Sequence, residues 1–263
     1  MVDFTGVVEA ESRRFVATLD GVDAATPVPT CPGWTAADLA WHLTEVHGFW
    51  ARILASRAVS DAEAEAQEAN GPTRPADPAA TRLLFEQATR ALLDALAARD
   101  DTEAAWFWLP TARTVGSTRR MQAHEATMHR VDAEAAAGVA SAPIDAELAA
   151  DGIGHAVEVM WAWWGTNPGF TFTPCDGVVA LTATDLDRTW LLQPGRWRGV
   201  GASGTSYDVP GVRTVAAGEP VARVEAHAET LMRWLWGRGP EPTASGDDAA
   251  LAALREARDQ GMQ

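Results

Sequence analysis

Apolar residues in the first half of the chain recur every three or four positions, which is the spacing of amphipathic helices. Turns that contain Gly or Pro separate these periodic segments. The pattern predicts helices at residues 7–19, 36–54, 79–98, 117–137 and 144–164. Because short connections join such helices, we expect an up-and-down bundle in which neighbours are antiparallel.

The pattern changes after Asn167-Pro168-Gly169, where β-branched and aromatic residues begin to alternate with others. It predicts strands at residues 170–173, 178–183 and 189–193, a loop at 201–210 and a closing helix at 226–237. The expected fold class is therefore α+β, with an N-terminal four-helix-type bundle over residues 1–166 and a small C-terminal α/β domain over 167–240. Residues 241–263 are expected to form a mobile or helical tail.

A histidine lies inside the apolar stripe of the second predicted helix. His42 shares that stripe with Leu39 and Leu43, so we expect its ring to point into the bundle. His47 falls beside the stripe and is expected to be partly exposed or to lie at its margin. A single inward histidine is most often a hydrogen-bonded core residue, so His42 alone does not identify a site.

A carboxylate and a second histidine share one face of the fourth predicted helix. Glu125 and His129 are four positions apart, so both side chains can reach a common ion. Met121 and Met128 mark this face as buried, where an ionised carboxylate needs a partner or a metal. A solvated Glu/His pair on a surface helix is the alternative.

Together, His42, Glu125 and His129 offer two imidazoles and one carboxylate to a divalent metal ion. Such a set leaves a coordination position open for water or substrate, as in catalytic zinc sites and non-haem iron sites. Arg130 and Asp132 lie close to His129 in sequence. They are expected either to support the metal ligands from outside or to form a surface ion pair.

Composition narrows the classes of function. The formal net charge is -15, from 36 acidic and 21 basic residues, and every basic residue other than histidine is arginine. This acidic balance disfavours nucleic acid and anionic membranes as partners.

The most apolar stretch, residues 156–165, is far shorter than the roughly 20 residues of a membrane span, so we expect a buried helix there. The N-terminal residues lack a secretory pattern, so a cytoplasmic location is expected. Two distant cysteines, Cys31 and Cys175, argue against a disulfide scaffold.

Several of these residues form a pattern that resembles the mycothiol-dependent maleylpyruvate isomerase family, a branch of the DinB-like metal-binding bundles. The pattern consists of Pro32-Gly33-Trp34-Thr35, Asp38-Leu39, His42-Leu43, Glu125 and His129-Arg130-x-Asp132. Near the C-terminus, Trp234-Leu235-Trp236-Gly237-Arg238 is similar to the C-terminal domain of that family. The resemblance implies a DinB-like bundle followed by a smaller domain.

The resemblance also implies a set of ligands and cofactors. The family's metal triad falls on His42, Glu125 and His129, and the implied ion is divalent, usually zinc. The implied cosubstrate or cofactor is the low-molecular-weight thiol mycothiol. The family's essential arginine falls on Arg238, with Arg223 as the substitute, and an arginine suits an anionic substrate.

The implied function is that of a metal-dependent enzyme that uses the thiol to attack an electrophilic small molecule. It would act as an S-transferase or as a cis–trans isomerase of the maleylpyruvate type. Two alternatives stay open, because a fold does not determine what its site does. One is a metal-dependent hydrolase, and the other is a non-catalytic, metal-stabilised binding module.

Overall fold

The structure is a computed structural model that describes residues 2–175 and 177–261. The chain divides into two compact units, Met1–Ala142 and Pro143–Gln263. The first unit is helical and the second is built around a six-stranded sheet, so the predicted α+β class is confirmed.

Within the described residues, the first unit contains four long α-helices and a short one. They are α1 (Phe4–Leu19), α2 (Ala36–Ser56), α3 (Asp61–Ala69), α4 (Pro78–Ala97) and α5 (Val115–Ala137). The predicted start of α2 is correct: the side chain of Thr35 accepts from the backbone of Asp38, and Asp38 accepts from the backbone of Thr35. Gly138 caps the end of helix α5, with a φ of 65° that few other residues adopt.

The helix directions differ from a simple up-and-down order, because α2 and α4 run the same way. Ala36 and Pro78, at the two helix starts, line one pocket. Further along, His47 is hydrogen-bonded to Thr89. The connection between α2 and α4 is long and contains α3, so the chain can return to the starting end of α2 before α4 begins.

Helices α1 and α5 also run the same way, since the Arg119 side chain donates to Thr5 and the Arg130 side chain donates to Glu11. In contrast, α2 and α5 are antiparallel: Trp34, just before α2, lies by His129, and His42 lies by Glu125. The two helices that carry the predicted ligands therefore lie side by side in opposite directions.

The core between the helices is apolar at the end of the bundle where α2 and α4 begin. It includes Phe15, Leu39, Leu43 and Phe85. Leu83 of α4 does not face this core, since it is 56% exposed. The buried positions of α4 are Thr81, Phe85, Leu92 and Leu96, a spacing that leaves Leu83 on the outer side.

The second unit begins earlier than predicted. Helix α6 (Ala146–His155), followed by a π-helical turn at Ala156–Met160, belongs to this unit and not to the bundle. It packs against a later helix, α7 (Ala228–Leu235), so closely that a Cβ on Gly152 would lie 2.4 Å from the terminal carbon of Met232. Because α6 packs within the second unit, the boundary lies between residues 142 and 143 and not at the predicted 166/167. The α-helix predicted to reach Trp164 ends at His155.

Five strands of the sheet follow the order β1-β3-β2-β5-β6. The sixth, β4, pairs with β3 along the edge opposite to the one that pairs with β1 and β2. The strands are β1 (Thr171–Pro174), β2 (Val178–Ala183), β3 (Arg188–Val200), β4 (Ser206–Thr214), β5 (Pro220–Ala226) and β6 (Thr243–Gly246). Among the strands of the described residues, β2 and β5 form the one parallel pair, and the other pairs are antiparallel. The predicted loop at 201–210 is wrong over its second half, where β4 begins, and the pattern missed β5.

The predicted mobile or helical tail contains β6 and the helix α8 (Asp248–Arg258). Leu251 and Leu254 of α8 are buried, which explains why this segment is ordered. Cys31 is buried, Cys175 is half-buried, and no disulfide links them. None of the helices within residues 2–175 and 177–261 combines the length and apolarity that crossing a membrane requires.

A buried ion-pair network joins α1 to α5. Arg130 is fully buried, and its guanidinium donates to Glu11 at 2.5 Å and to Glu134 at 2.7 Å. It also donates to the carbonyl oxygen of Ala142 at 2.8 Å. Both expectations for Arg130, a group supporting the metal ligands or a surface ion pair, are therefore replaced by a buried structural pair.

Replacing Arg130 with methionine leaves the buried Glu134 carboxylate without its cation. We expect the Arg130→Met change to lower the free energy of unfolding by about 3–5 kcal/mol, measured by urea denaturation. The control is Arg13→Met, which removes an exposed pair with Glu9 and should change it by less than about 1 kcal/mol. Equal small effects of both changes would contradict a stabilising role for the Arg130 network.

Candidate metal centre

Three side chains from two helices meet in the first unit. His42 comes from α2, and Glu125 and His129 come from successive turns of α5. One ligand atom of each residue lies within 4.8 Å of the others. Glu125 Oε1 is 3.3 Å from His42 Nε2 and 3.3 Å from His129 Nε2. The structure thus brings together all three residues that the sequence pattern singled out.

These distances suit a divalent transition metal. Nitrogen and oxygen ligands about 2.0–2.2 Å from a tetrahedral ion are roughly 3.4 Å apart, close to the separations of Glu125 Oε1 from both imidazole nitrogens. The set consists of two imidazoles, which bind metals in their neutral form, and one carboxylate. Divalent transition metals accept these ligands, and the set leaves a fourth position for another ligand. The donor set fits a metal, and that it binds one stays a prediction.

Asp132 holds His129 in the orientation that a metal ligand needs. Its Oδ2 is 2.9 Å from His129 Nδ1, and both side chains are buried. A proton on Nδ1 is therefore shared with the carboxylate, and Nε2 is left to face Glu125. Of the two expectations for Asp132, the structure supports contact with the ligand and not a surface ion pair.

The electrostatics of the centre favour the charged forms of Glu125 and His129. Burial alone would raise the pKa of Glu125, but hydrogen bonds with His129 and His42 and the charges of these rings hold it well below its usual value. Burial likewise opposes protonation of His129. Hydrogen bonds to Asp132 and Glu125, and their charges, outweigh burial and raise the pKa of His129 to about 9.

One side of the centre is open and lined by an aromatic ring. The side chain of His42 is 26% exposed and that of Glu125 is 16% exposed, whereas His129 is 2% exposed. The indole of Trp34 lies 4.8 Å from the His42 ring and is stacked 6.2 Å from the His129 ring, measured between centroids. A ligand at the open position would therefore enter beside His42 and Glu125.

The burial of His47 contradicts the expectation from the apolar stripe, whereas the ring of His42 points into the bundle as expected and reaches Glu125. His42 is only half-buried, while His47 is completely buried, stacked on Phe85 and bonded to Thr89. The misjudgement arises because α4 packs against α2 on the side that carries His47. His124, the other histidine of α5, is buried beside Phe4 of α1.

The predicted catalytic arginine lies in the second unit. Arg238 follows α7, is 6% exposed and donates through Nη1 to the carbonyl oxygen of Trp236 at 2.6 Å. Arg223, the substitute, lies in the middle of β5 and is exposed. The catalytic role of either arginine stays a prediction.

Residues 7–134 match the family model of the mycothiol maleylpyruvate isomerase N-terminal domain. The N-terminal unit belongs to this domain family. All three candidate ligands lie within the matched residues, and the family resemblance of the N-terminal sequence motifs is confirmed.

Solved structures extend the likeness in fold to both units. A crystal structure of the mycothiol-dependent maleylpyruvate isomerase is similar to the chain with a TM-score of 0.61, 17% sequence identity and 93% of each chain covered. A histidine-to-alanine mutant of that enzyme gives a TM-score of 0.59, also at 17% identity and 93% coverage of each chain. No curated protein matches the chain in sequence. At this identity the structural likeness establishes a shared fold.

Weakening the hold on His129 tests the role of Asp132. In Asp132→Asn, the buried partner of Nδ1 loses its charge, and the ring loses its fixed tautomer. We expect the affinity for zinc to fall by about 10–100-fold in a chelator competition titration. The control Asp94→Asn, on the exposed side of α4, should leave it unchanged. Unaltered affinity in Asp132→Asn would show that the contact does not support a metal ligand.

The raised pKa of His129 predicts proton release on metal binding. At pH 7 its ring carries a proton that must leave before Nε2 can bind an ion, because the pKa is about 9. The affinity for zinc should therefore rise by up to about tenfold per pH unit from pH 7 and level off near pH 9. Calorimetry in buffers of different ionisation enthalpy should detect the released proton. Affinity that is constant across this range would contradict the assignment.

Proposed function

We propose that the protein is a metal-dependent enzyme that uses a low-molecular-weight thiol, mycothiol, to attack an electrophilic small molecule. The product would be that of an S-transferase or of a cis–trans isomerase of the maleylpyruvate type. The observation that carries the proposal is the cluster of His42, Glu125 and His129 within a domain of the isomerase's family. The proposed ion is zinc.

The chain's own residues determine how a thiol would be activated. A divalent ion bound by the three ligands would lower the pKa of a thiol at the open position, so that the nucleophilic thiolate is present at neutral pH. Asp132 keeps a proton on His129 Nδ1, which leaves the opposite nitrogen for the ion. The apolar indole of Trp34 covers the two imidazoles and limits the access of water to them.

The isomerase and transferase reactions share these requirements. In an isomerisation, the thiol adds to a cis double bond, the resulting single bond rotates, and the thiol leaves. In a transfer, the adduct is the product. Both begin with the same attack, so the same ligands serve either outcome.

Arg238 is the proposed catalytic arginine, binding an anionic group of the electrophile. Its burial favours this role over Arg223, since a guanidinium in a dry environment pairs more strongly with a carboxylate than an exposed one. Its Nη1 donates to the backbone oxygen of Trp236, which orients the guanidinium. A cytoplasmic location would keep the thiol reduced.

The test is thiol-dependent turnover by zinc-loaded protein without a histidine tag. Mycothiol is supplied with maleylpyruvate to detect isomerisation and with a bimane electrophile to detect transfer. We expect His129→Ala to reduce both the bound zinc and the turnover by more than about 100-fold, beyond the effect of an outer partner. The matched control is His124→Ala, which removes another buried imidazole of α5 that lies against Phe4.

Other outcomes would favour the alternatives. Turnover that does not need thiol would indicate a metal-dependent hydrolase. A protein that binds zinc, loses thermal stability in His42→Ala and turns over neither substrate would be a metal-stabilised binding module. Failure to bind zinc, nickel or iron would overturn the metal centre itself.

A further inference from the structure

The buried face of α5 carries more polar side chains than the metal centre uses. Thr118, Gln122, Glu125 and His129 form one stripe along this helix, because Gln122 lies only about 60° from Glu125 and about 20° from His129 around the axis. Thr118 and Gln122 have no exposed surface. The stripe therefore continues inward from the two ligands as uncharged polar groups.

Gln122 is the most unusual member of this stripe. Neither its Nε2 nor its Oε1 reaches solvent, and neither has a hydrogen-bond partner among the residues that the structure describes. The hydroxyl oxygen of Thr118, one turn away, is in the same state. A buried amide without partners lowers the stability of the folded protein, so its presence needs an explanation.

A third group with a vacant hydrogen-bonding position approaches from α2. His47 uses Nδ1 with Thr89, whereas its Nε2 is buried and has no partner among the described residues. It lies close enough to the centre for the charges of Glu125, His129 and His42 to act on its pKa. Because α2 and α5 are antiparallel, the turn after His42 runs beside the α5 turn before Glu125, which is the turn of Gln122.

The chemistry of these groups selects a neutral ligand. Burial lowers the pKa of His47 to about 3, so its ring is uncharged at neutral pH. An amide side chain, a hydroxyl and a neutral imidazole offer both donors and acceptors without a charge to balance an ion. The complementary partner is a group that also has one donor and one acceptor, and an amide presents both.

We propose that Gln122, with Thr118 and His47, forms a subsite that binds a neutral amide group of the thiol at the metal centre. This inference rests on the proposed function, since it assigns part of the ligand that the function requires. The subsite makes Gln122 a specificity-determining residue of the centre. Without a ligand, the unpaired polar atoms of Gln122 lower the stability of the folded protein. Hydrogen bonds to a bound amide would remove this loss and so favour binding.

Two small thiols test the proposal with the zinc-loaded full chain. N-acetylcysteine and 3-mercaptopropionate have the same thiol and carboxylate and differ by the acetamido group. Calorimetric titration should show that the wild type binds N-acetylcysteine about tenfold more tightly, the effect of one or two added hydrogen bonds. In Gln122→Leu the two dissociation constants should become equal through weaker binding of N-acetylcysteine alone. The bound zinc should not change.

Stability provides a second readout. Removing an unsatisfied amide should raise the melting temperature of the ligand-free Gln122→Leu protein by about 2–4 °C. The matched control is Thr127→Val, because Thr127 is equally buried on α5 but bonds to Ala123 and faces about 160° away from His129. This control should keep the tenfold preference and show no rise in melting temperature.

The remaining outcomes overturn the inference in distinguishable ways. Equal binding of the two thiols by the wild type, or a preference that survives in Gln122→Leu, would refute the amide subsite while leaving the proposed function intact. A lower melting temperature and less zinc in Gln122→Leu would make Gln122 a structural residue. Binding of neither thiol by zinc-loaded wild type would refute the proposed function and this inference with it.

Discussion

The carboxylate of Glu125 is the constraint on which the first unit depends. An ionised group with little exposure inside a helical bundle is tolerated only when positive or hydrogen-bonding groups surround it. His42 and His129 supply those groups at 3.3 Å, and Asp132 in turn stabilises the charge that His129 acquires. Acidic and basic side chains therefore alternate in this buried cluster. A bound cation would replace the hydrogen bonds between Glu125 and the two histidines with stronger metal–ligand interactions.

Helix direction makes this arrangement possible. Because α2 runs parallel to α4 and antiparallel to α5, His42 arrives opposite Glu125, and the loop before α2 carries Trp34 onto His129. Away from the metal centre, the interior is held by Arg130 and its two carboxylates, which fasten α1 to α5. The metal centre and the Arg130 network are thus separate buried networks that share α5.

The sequence pattern predicted the parts that depend on local spacing. Helix positions, the capping box at Thr35 and the common face of Glu125 and His129 all follow from residues within a few positions of one another. It failed where packing partners decide the outcome. Whether Leu83 or His47 is buried depends on which helix lies beside it, and β4 and β5 become strands by pairing with distant neighbours. The domain boundary depended likewise on α6 packing against α7.

The buried contacts that hold the bundle together join residues far apart in the sequence, which affects how the chain folds. His42 and Glu125 are 83 positions apart, and Arg130 and Glu11 are 119 positions apart, so the contacts that unite the bundle close very large loops. Bundles of successive helical hairpins have low contact order and fold within microseconds to milliseconds. This bundle must instead wait for its last helix, so its ligand set is complete only when nearly the whole unit has been synthesised and collapsed.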